Sequence, residues 1–202
     1  MKEPFFLFDF DGTVGNSMRL VYQGVCNVFR NSRIIPPTLD DYIIHFAFPY
    51  LGYYQDRGVK ADEHQILKWF KEGAGPFRIE LFQDAINLLR RLEEAGYQPA
   101  IVTANSEENI QKSLRYHNLD HIEAYSIHAA DKTECIRGLI EKSEFGSETI
   151  YVGDVVSDMV QAKAAGARPV AILRNSFMSL APHFFEAGAT DCIRTLDAIQ
   201  VA

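Results

Sequence analysis

Phe5-Phe6-Leu7-Phe8-Asp9-Phe10-Asp11-Gly12-Thr13 is the stretch that decides the fold. Four consecutive apolar residues meet two carboxylates and a glycine. An uninterrupted apolar run of this length reads as a strand buried on both faces, and the acidic turn after it as a functional loop. Downstream, Met18, Val21, Tyr22, Val25, Val28 and Phe29 recur at helical spacing, and Ile34-Ile35-Pro36-Pro37 ends that helix. Residues 38–75 are rich in aromatics and lack strand alternation. Asp62 is placed to cap a helix with Ile66, Leu67 and Phe70 on one face. The region reads as a small helical subdomain. Gly73, Gly75 and Pro76 suggest the return crossing.

Beyond it the pattern changes. A helix with Ile86, Leu89 and Leu92 stops at Gly96, and Ala100-Ile101-Val102 is a strand. Ile110 and Leu114 mark a helix, residues 124–127 a strand, and Ile136, Leu139 and Ile140 another helix. Thr149-Ile150-Tyr151-Val152 is a strand, and 159–165 a helix. Val170-Ala171-Ile172-Leu173 is a strand, and 177–187 a helix. Strands alternating with helices imply an α/β fold with a doubly wound parallel sheet.

In such a sheet, ligands bind beyond the carboxyl ends of the strands. Asp9 and Asp11 follow the first strand and Thr103 the second. Lys132 opens the helix after 124–127, and Asp154 and Asp158 follow the strand ending at Val152. All fall on one edge. Four carboxylates without a nearby His or Cys ligand make a hard oxygen site suited to Mg2+. A carboxylate can attack phosphorus, and a second one two residues on can protonate the leaving oxygen and later activate water. A lysine and a threonine hydroxyl can hold phosphoryl oxygens. Gly12 lets the backbone turn so that amides can face a phosphate.

At these residues the chain resembles the haloacid dehalogenase-like superfamily, in its phosphatase branch with a helical cap, which includes phosphoglycolate-phosphatase-like and β-phosphoglucomutase-like members. Phe8-Asp9-Phe10-Asp11-Gly12-Thr13-Val14 is similar to its first motif, Thr103 in Ile101-Val102-Thr103-Ala104-Asn105 to its second and Lys132 to its third. Gly153-Asp154-Val155-Val156-Ser157-Asp158-Met159, continuing to Ala162, Ala165 and Gly166, is similar to its fourth. The resemblance implies a Rossmann-like core at 1–15 and 78–202 with a helical cap at 16–77. It implies Asp9 as nucleophile and metal ligand, and Asp11 as general acid/base whose main-chain carbonyl touches the metal. Thr103, Ala104, Lys132 and Gly12 would bind the phosphoryl group. Asp154 would ligate Mg2+, and Asp158 would support the metal or Lys132. Three positions depart from the pattern: Asn16 where many members carry an acid, Asp84 where a glycine is common, and Thr133 where proline is frequent.

The expected activity is Mg2+-dependent hydrolysis of a small phosphorylated metabolite, phosphoglycolate-like or a sugar phosphate. A sugar-phosphate mutase shares the same nucleophile. Carbon–halogen hydrolysis is disfavoured by Asp11, since a halide needs no proton. A signalling receiver domain is disfavoured by the nucleophile's place on the first strand and by the insert. A non-catalytic binding protein would not need all six positions filled.

Bland readings exist for single residues. His117 and His121 have metal-like spacing but straddle an expected helix end. Trp69, Phe46, Phe48, Tyr50, Tyr53 and Tyr54 read as subdomain core before pocket lining. His45, Arg57 and Lys60 are candidate readers of the leaving group.

Composition fits this reading. Of 202 residues, 47% are hydrophobic and 23% charged, ordinary for a globular chain. A net charge of -7 argues against nucleic-acid or anionic-membrane partners, which reward clustered Lys and Arg. Cys26, Cys135 and Cys192 are odd in number and widely spaced, as free thiols are. No signal peptide or membrane-length apolar run is visible, so a cytoplasmic monomer or homodimer is expected.

Overall fold

The computed structural model describes residues 4–75, 79–127, 131–142 and 148–201. In chain order, β1 (Phe5–Phe8) is followed by α1 (Met18–Asn31), α2 (Leu39–His45), α3 (Tyr50–Gln55) and α4 (Glu63–Ala74). Then come α5 (Gln83–Glu94), β2 (Ala100–Thr103), α6 (Glu107–Tyr116), β3 (Glu123–Ser126) and α7 (Lys132–Lys142). The chain closes with β4 (Thr149–Gly153), α8 (Val156–Ala165), β5 (Arg168–Ile172), α9 (Ala181–Glu186) and β6 (Asp191–Ile193).

The six strands form one sheet in the order β3-β2-β1-β4-β5-β6, every pairing parallel. The order reverses between β1 and β4, so the ends of those two strands flank the crevice where such sheets bind ligands. The apolar run of β1 serves both faces, because successive side chains alternate. Phe6 and Phe8 join Ile101, Val152 and Val170 under α5 and α6. Phe5 and Leu7 join Val102 and Tyr151 under α7 and α8, through Ile136, Ala162 and Ala165.

The helices α1–α4 lie between β1 and α5 in the chain. The aromatics there are core: Tyr42, Tyr53 and Tyr54 are buried with Val28 and Phe29, and Phe46 and Tyr50 pack against them. That cluster continues into Met159, Ala171, Leu173 and Phe184, so apolar packing runs unbroken from the helical insert onto the sheet side. Asp62 caps α4 by accepting from the Gln65 amide (2.8 Å). Ile66 is buried, whereas Leu67, one position on and so turned about 100° around the helix, is exposed. The return is visible to Gly75, which caps α4. Pro76 and the insert's far boundary at 77–78 lie outside the described residues.

Two expectations change. The helix at 177–187 is two pieces, a 3-10 turn over Asn175–Leu180 and then α9. Pro182 starts the second, since a residue without an N–H is tolerated in a first turn and not in an interior. The edge strand β6 was not anticipated from its sequence. Among the described residues no helix is long and apolar enough to cross a membrane.

Candidate active site

Asp9, Asp11, Thr103, Lys132, Asp154 and Asp158 all reach the same sheet edge. Asp9 follows β1, and its amide donates to the Val152 carbonyl of β4 (2.8 Å), which keeps the two strand ends together past the ladder. Lys132 is the first residue of α7. Its backbone amide donates to Gln161 Oε1 (3.0 Å), and its ammonium turns inward. Lys132 Nζ lies 2.8 Å from Asp9 Oδ1, 2.7 Å from Asp158 Oδ1 and 3.0 Å from the Tyr151 hydroxyl. The other oxygen of Asp158 accepts from the amides of Asp154 (3.2 Å) and Val155 (3.3 Å), so this carboxylate holds the start of α8 as well as the lysine.

Oxygens of Asp9, Asp154 and Asp158 lie within 4.8 Å of one another, all three residues buried. Burial pushes the Asp9 carboxyl up to about 7, against the pull of Lys132 and with Asp158 and Asp11 adding to it. Burial likewise raises Asp154 well above the usual carboxylate range, with Asp9 and Asp158 contributing. Burial would lower Lys132, but Asp158 and Asp9 outweigh it and hold the ammonium well above its ordinary value. One cation thus faces three crowded carboxylates. This donor set fits a hard divalent cation.

Asp11 stands apart from that group. Its carboxylate accepts from the Ser17 hydroxyl (2.5 Å) and from the Asn105 amide (3.1 and 3.0 Å). Burial raises its carboxyl above the ordinary 3.8, partly offset by those hydrogen bonds and by Lys132. Asn105 is fixed in turn: its side-chain oxygen accepts from the Ser106 amide (2.8 Å) and Asn109 (3.0 Å), and its carbonyl accepts from Ser126 (2.7 Å). Thr103 is fully buried and its hydroxyl accepts from the Asn105 amide (3.1 Å). Ala104 sits between the two, partly buried.

Gly12 makes the sharp turn expected of it. Its amide donates to the Gly15 carbonyl (2.9 Å), inside the turn and not toward a ligand. Its φ is +76°, and a Cβ there would sit 1.9 Å from Asp154 Oδ2. Only glycine lets the two acidic loops approach this closely.

Ser17, Asn105, Tyr151 and Gln161 were not picked from sequence. Ser17 and Asn105 flank motif residues. Tyr151 lies inside an apolar strand, where nothing distinguishes it from a core ring. His45, Arg57 and Lys60 are engaged elsewhere in the insert. His45 pairs with Asp41 (3.0 Å), Arg57 lies over the Tyr53 ring (4.0 Å), and Lys60 lines a surface hollow with Asp62, Gln65 and Trp69. Tyr42 lies on α2, an element packed on α8. Burial holds its hydroxyl well above the usual tyrosine range, and Tyr54, Asp154 and Asp11 add to the shift. His117 and His121 pair separately, with Glu80 (3.9 Å) and Glu93. The three cysteines are free.

A doubly wound parallel sheet with a carboxylate–lysine cluster at its switch point defines a Rossmann-like α/β protein with a charged site at its crevice. The haloacid dehalogenase-like hydrolase family model matches residues 6–172, and the chain belongs to that family. It is 24% identical over 182 residues, 85% of this chain and 82% of the other, to a protein of Caldanaerobacter subterraneus subsp. tengcongensis named as pyrophosphatase PpaX. Among solved structures it is similar to a hydrolase from Pseudomonas syringae, with TM-score 0.76, 17% identity and coverage of 96% of this chain and 94% of that one. It is also similar to a Bacteroides vulgatus protein named as a β-phosphoglucomutase, with TM-score 0.77, 16% identity and coverage of 96% and 85%. At these identities the solved structures speak to the fold. Six parallel strands flanked by helices, the expected α/β core, are thus shared with this family, and the chain is a hydrolase with phosphatase-type relatives.

Proposed function

We propose that the chain hydrolyses a small phosphomonoester in a Mg2+-dependent reaction through an aspartyl-phosphate on Asp9. The observation that carries this reading is the placement of Asp9 Oδ1 2.8 Å from Lys132, beside Asp154 and Asp158. A carboxylate held at a cation, at the crevice of a doubly wound sheet, is positioned to attack an anionic phosphoryl group.

In the first step an Asp9 oxygen bonds to phosphorus and the bond from phosphorus to the leaving oxygen breaks. Asp11 delivers its proton to that oxygen, and burial shifts its carboxyl in the direction that favours the protonated form. Ser17 and Asn105 aim the carboxyl. In the second step water attacks phosphorus, Asp11 takes the water proton, and the bond to Asp9 breaks. Lys132 holds phosphoryl oxygens, and Thr103 sets the Asn105 loop beside them. Asp9 and Asp154 would hold Mg2+, with Asp158 behind them, and the ion would offset the charge crowded among the carboxylates. The insert closes over the site and excludes water during transfer.

The test is Mg2+-dependent phosphate release across phosphoglycolate, sugar monophosphates and inorganic pyrophosphate, the last included because of the name of the Caldanaerobacter relative. Asp9→Asn should lose activity by at least about 10³-fold, the scale set by removal of a covalent nucleophile. Undiminished turnover in that variant would overturn the mechanism. A phosphoenzyme that passes its phosphoryl group to a second sugar phosphate, and not to water, would identify a mutase instead.

A further inference from the structure

We infer that Arg174 and Asp84 are positioning residues that clamp the turn carrying Asp11 to the foot of the helical insert. The inference rests on the reaction proposed above for what the turn does, and on geometry alone for the clamp itself.

Both links between core and insert pass through one place. Residues 14–16 leave the core and residues 80–82 return, and the two runs are hydrogen-bonded to each other. The Asn16 amide donates to the Glu80 carbonyl (2.8 Å), the Phe82 amide donates to the Val14 carbonyl (2.9 Å), and Gly15 bridges antiparallel to Leu81. Arg174, two residues beyond β5, ties this ribbon to the catalytic turn. Its Nη1 donates to both oxygens of Asp84 (3.0 and 2.9 Å), and Nη2 donates to the Thr13 carbonyl (2.8 Å). Nε points at the Gly12 carbonyl (3.4 Å), and the guanidinium lies 3.5 Å from the centre of the Phe82 ring. Asp84 is anchored in turn by the Thr195 hydroxyl (2.8 Å) and the Leu196 amide (2.9 Å).

The residue types fit the task. Two adjacent carbonyls, a carboxylate and an aromatic face can be met at once only by a planar group with several fixed donors. A lysine would serve one of them. Gly12 and Thr13 are the residues after Asp11, so their carbonyls report directly on its backbone.

The test compares wild type with Arg174→Ala, Arg174→Lys and Asp84→Asn. One measurement is steady-state kinetics on the best substrate of the panel. The other is amide hydrogen exchange at Gly12 and Gly15, whose N–H groups close the turn onto Gly15 and Phe10. Arg174→Ala should lower kcat by about 10- to 100-fold with KM within about twofold, the size expected when a reacting group is displaced by about an ångström. Exchange should quicken within residues 10–16 and not across the sheet. Arg174→Lys and Asp84→Asn should fall between, and they carry the test if Arg174→Ala does not fold. Unchanged exchange in the turn, or quickening spread evenly over the fold with kcat intact, would overturn the clamp. If wild type releases no phosphate from any ester, the reaction fails, and the exchange data alone then decide: quickening confined to the turn supports the clamp, and none overturns it.

Discussion

Lys132 Nζ lies within 3.0 Å of Asp9, Asp158 and the Tyr151 hydroxyl. The ammonium therefore holds two buried carboxylates that would otherwise repel. Lys132→Met keeps much of the volume and removes the charge. Breaking one side of a buried ion pair costs about 3–5 kcal/mol, so metal-free protein should unfold at markedly lower urea at pH 8. The deficit should shrink toward pH 5. Burial already puts the folded-state Asp9 carboxyl at about 7, above its unfolded value of 3.8. Without the ammonium that pulls it down, the Asp9 carboxyl of the variant rises further, so the folded variant takes up its proton at higher pH than wild type and recovers stability as pH falls. A deficit that stays constant from pH 8 to pH 5 would count against this account. The same residues show what sequence can tell. Asp9, Asp11, Thr103, Lys132, Asp154 and Asp158 were legible because each sits at the end of a readable strand or at the start of the helix after one. Arg174 and Asp84 were not, being 90 positions apart with nothing local to join them. Tyr151 was hidden because a tyrosine in an apolar strand looks like core until its hydroxyl is placed.

Among the elements, those marked by an apolar run or a helical repeat were readable, down to the four residues of β2 and of β3, and α2, α3 and β6 were not. The strands β1, β2, β4 and β5 and the helices α1, α5, α6, α7 and α8 have apolar repeats long enough to show. The helices α2 and α3 are one to two turns long and carry closely spaced aromatics, so no period emerges, and β6 is three residues at a sheet edge. Within the insert, α1 and α4 approach closely through glycine. A Cβ on Gly73 would meet Asn27 Cβ at 2.4 Å, and one on Gly24 would meet Phe70 at 2.8 Å. Gly73→Val should therefore push the two helices apart, at a cost of about 1–3 kcal/mol from overpacking. Trp69, the single tryptophan of the chain, lies on α4 and reports on this contact directly. Its fluorescence transition in urea should move to lower denaturant in Gly73→Val, and an unmoved midpoint would mean that the helices can slide without loss.

For the whole molecule, charge decides the dominant condition of stability. The chain carries a net charge of -7, and its crevice gathers Asp9, Asp11, Asp154 and Asp158 around one lysine. Burial and mutual repulsion hold Asp154 well above the ordinary carboxylate range, so its ionised form is a cost to the metal-free fold. A divalent cation that binds only the folded chain removes that cost. At a concentration about 100 times its dissociation constant it adds about 2.7 kcal/mol. For a chain of this size that is a rise in Tm of about 5–10 °C. Mg2+ should give this rise in wild type near pH 7.5, and EDTA should reverse it. Asp154→Asn should lose the Mg2+ response while melting no lower than wild type in EDTA, because the amide cannot bind the ion but also has no charge to bury. Equal Mg2+ shifts in the two proteins would place the cation elsewhere on the acidic surface, and the crevice would then owe its charge balance to Lys132 alone.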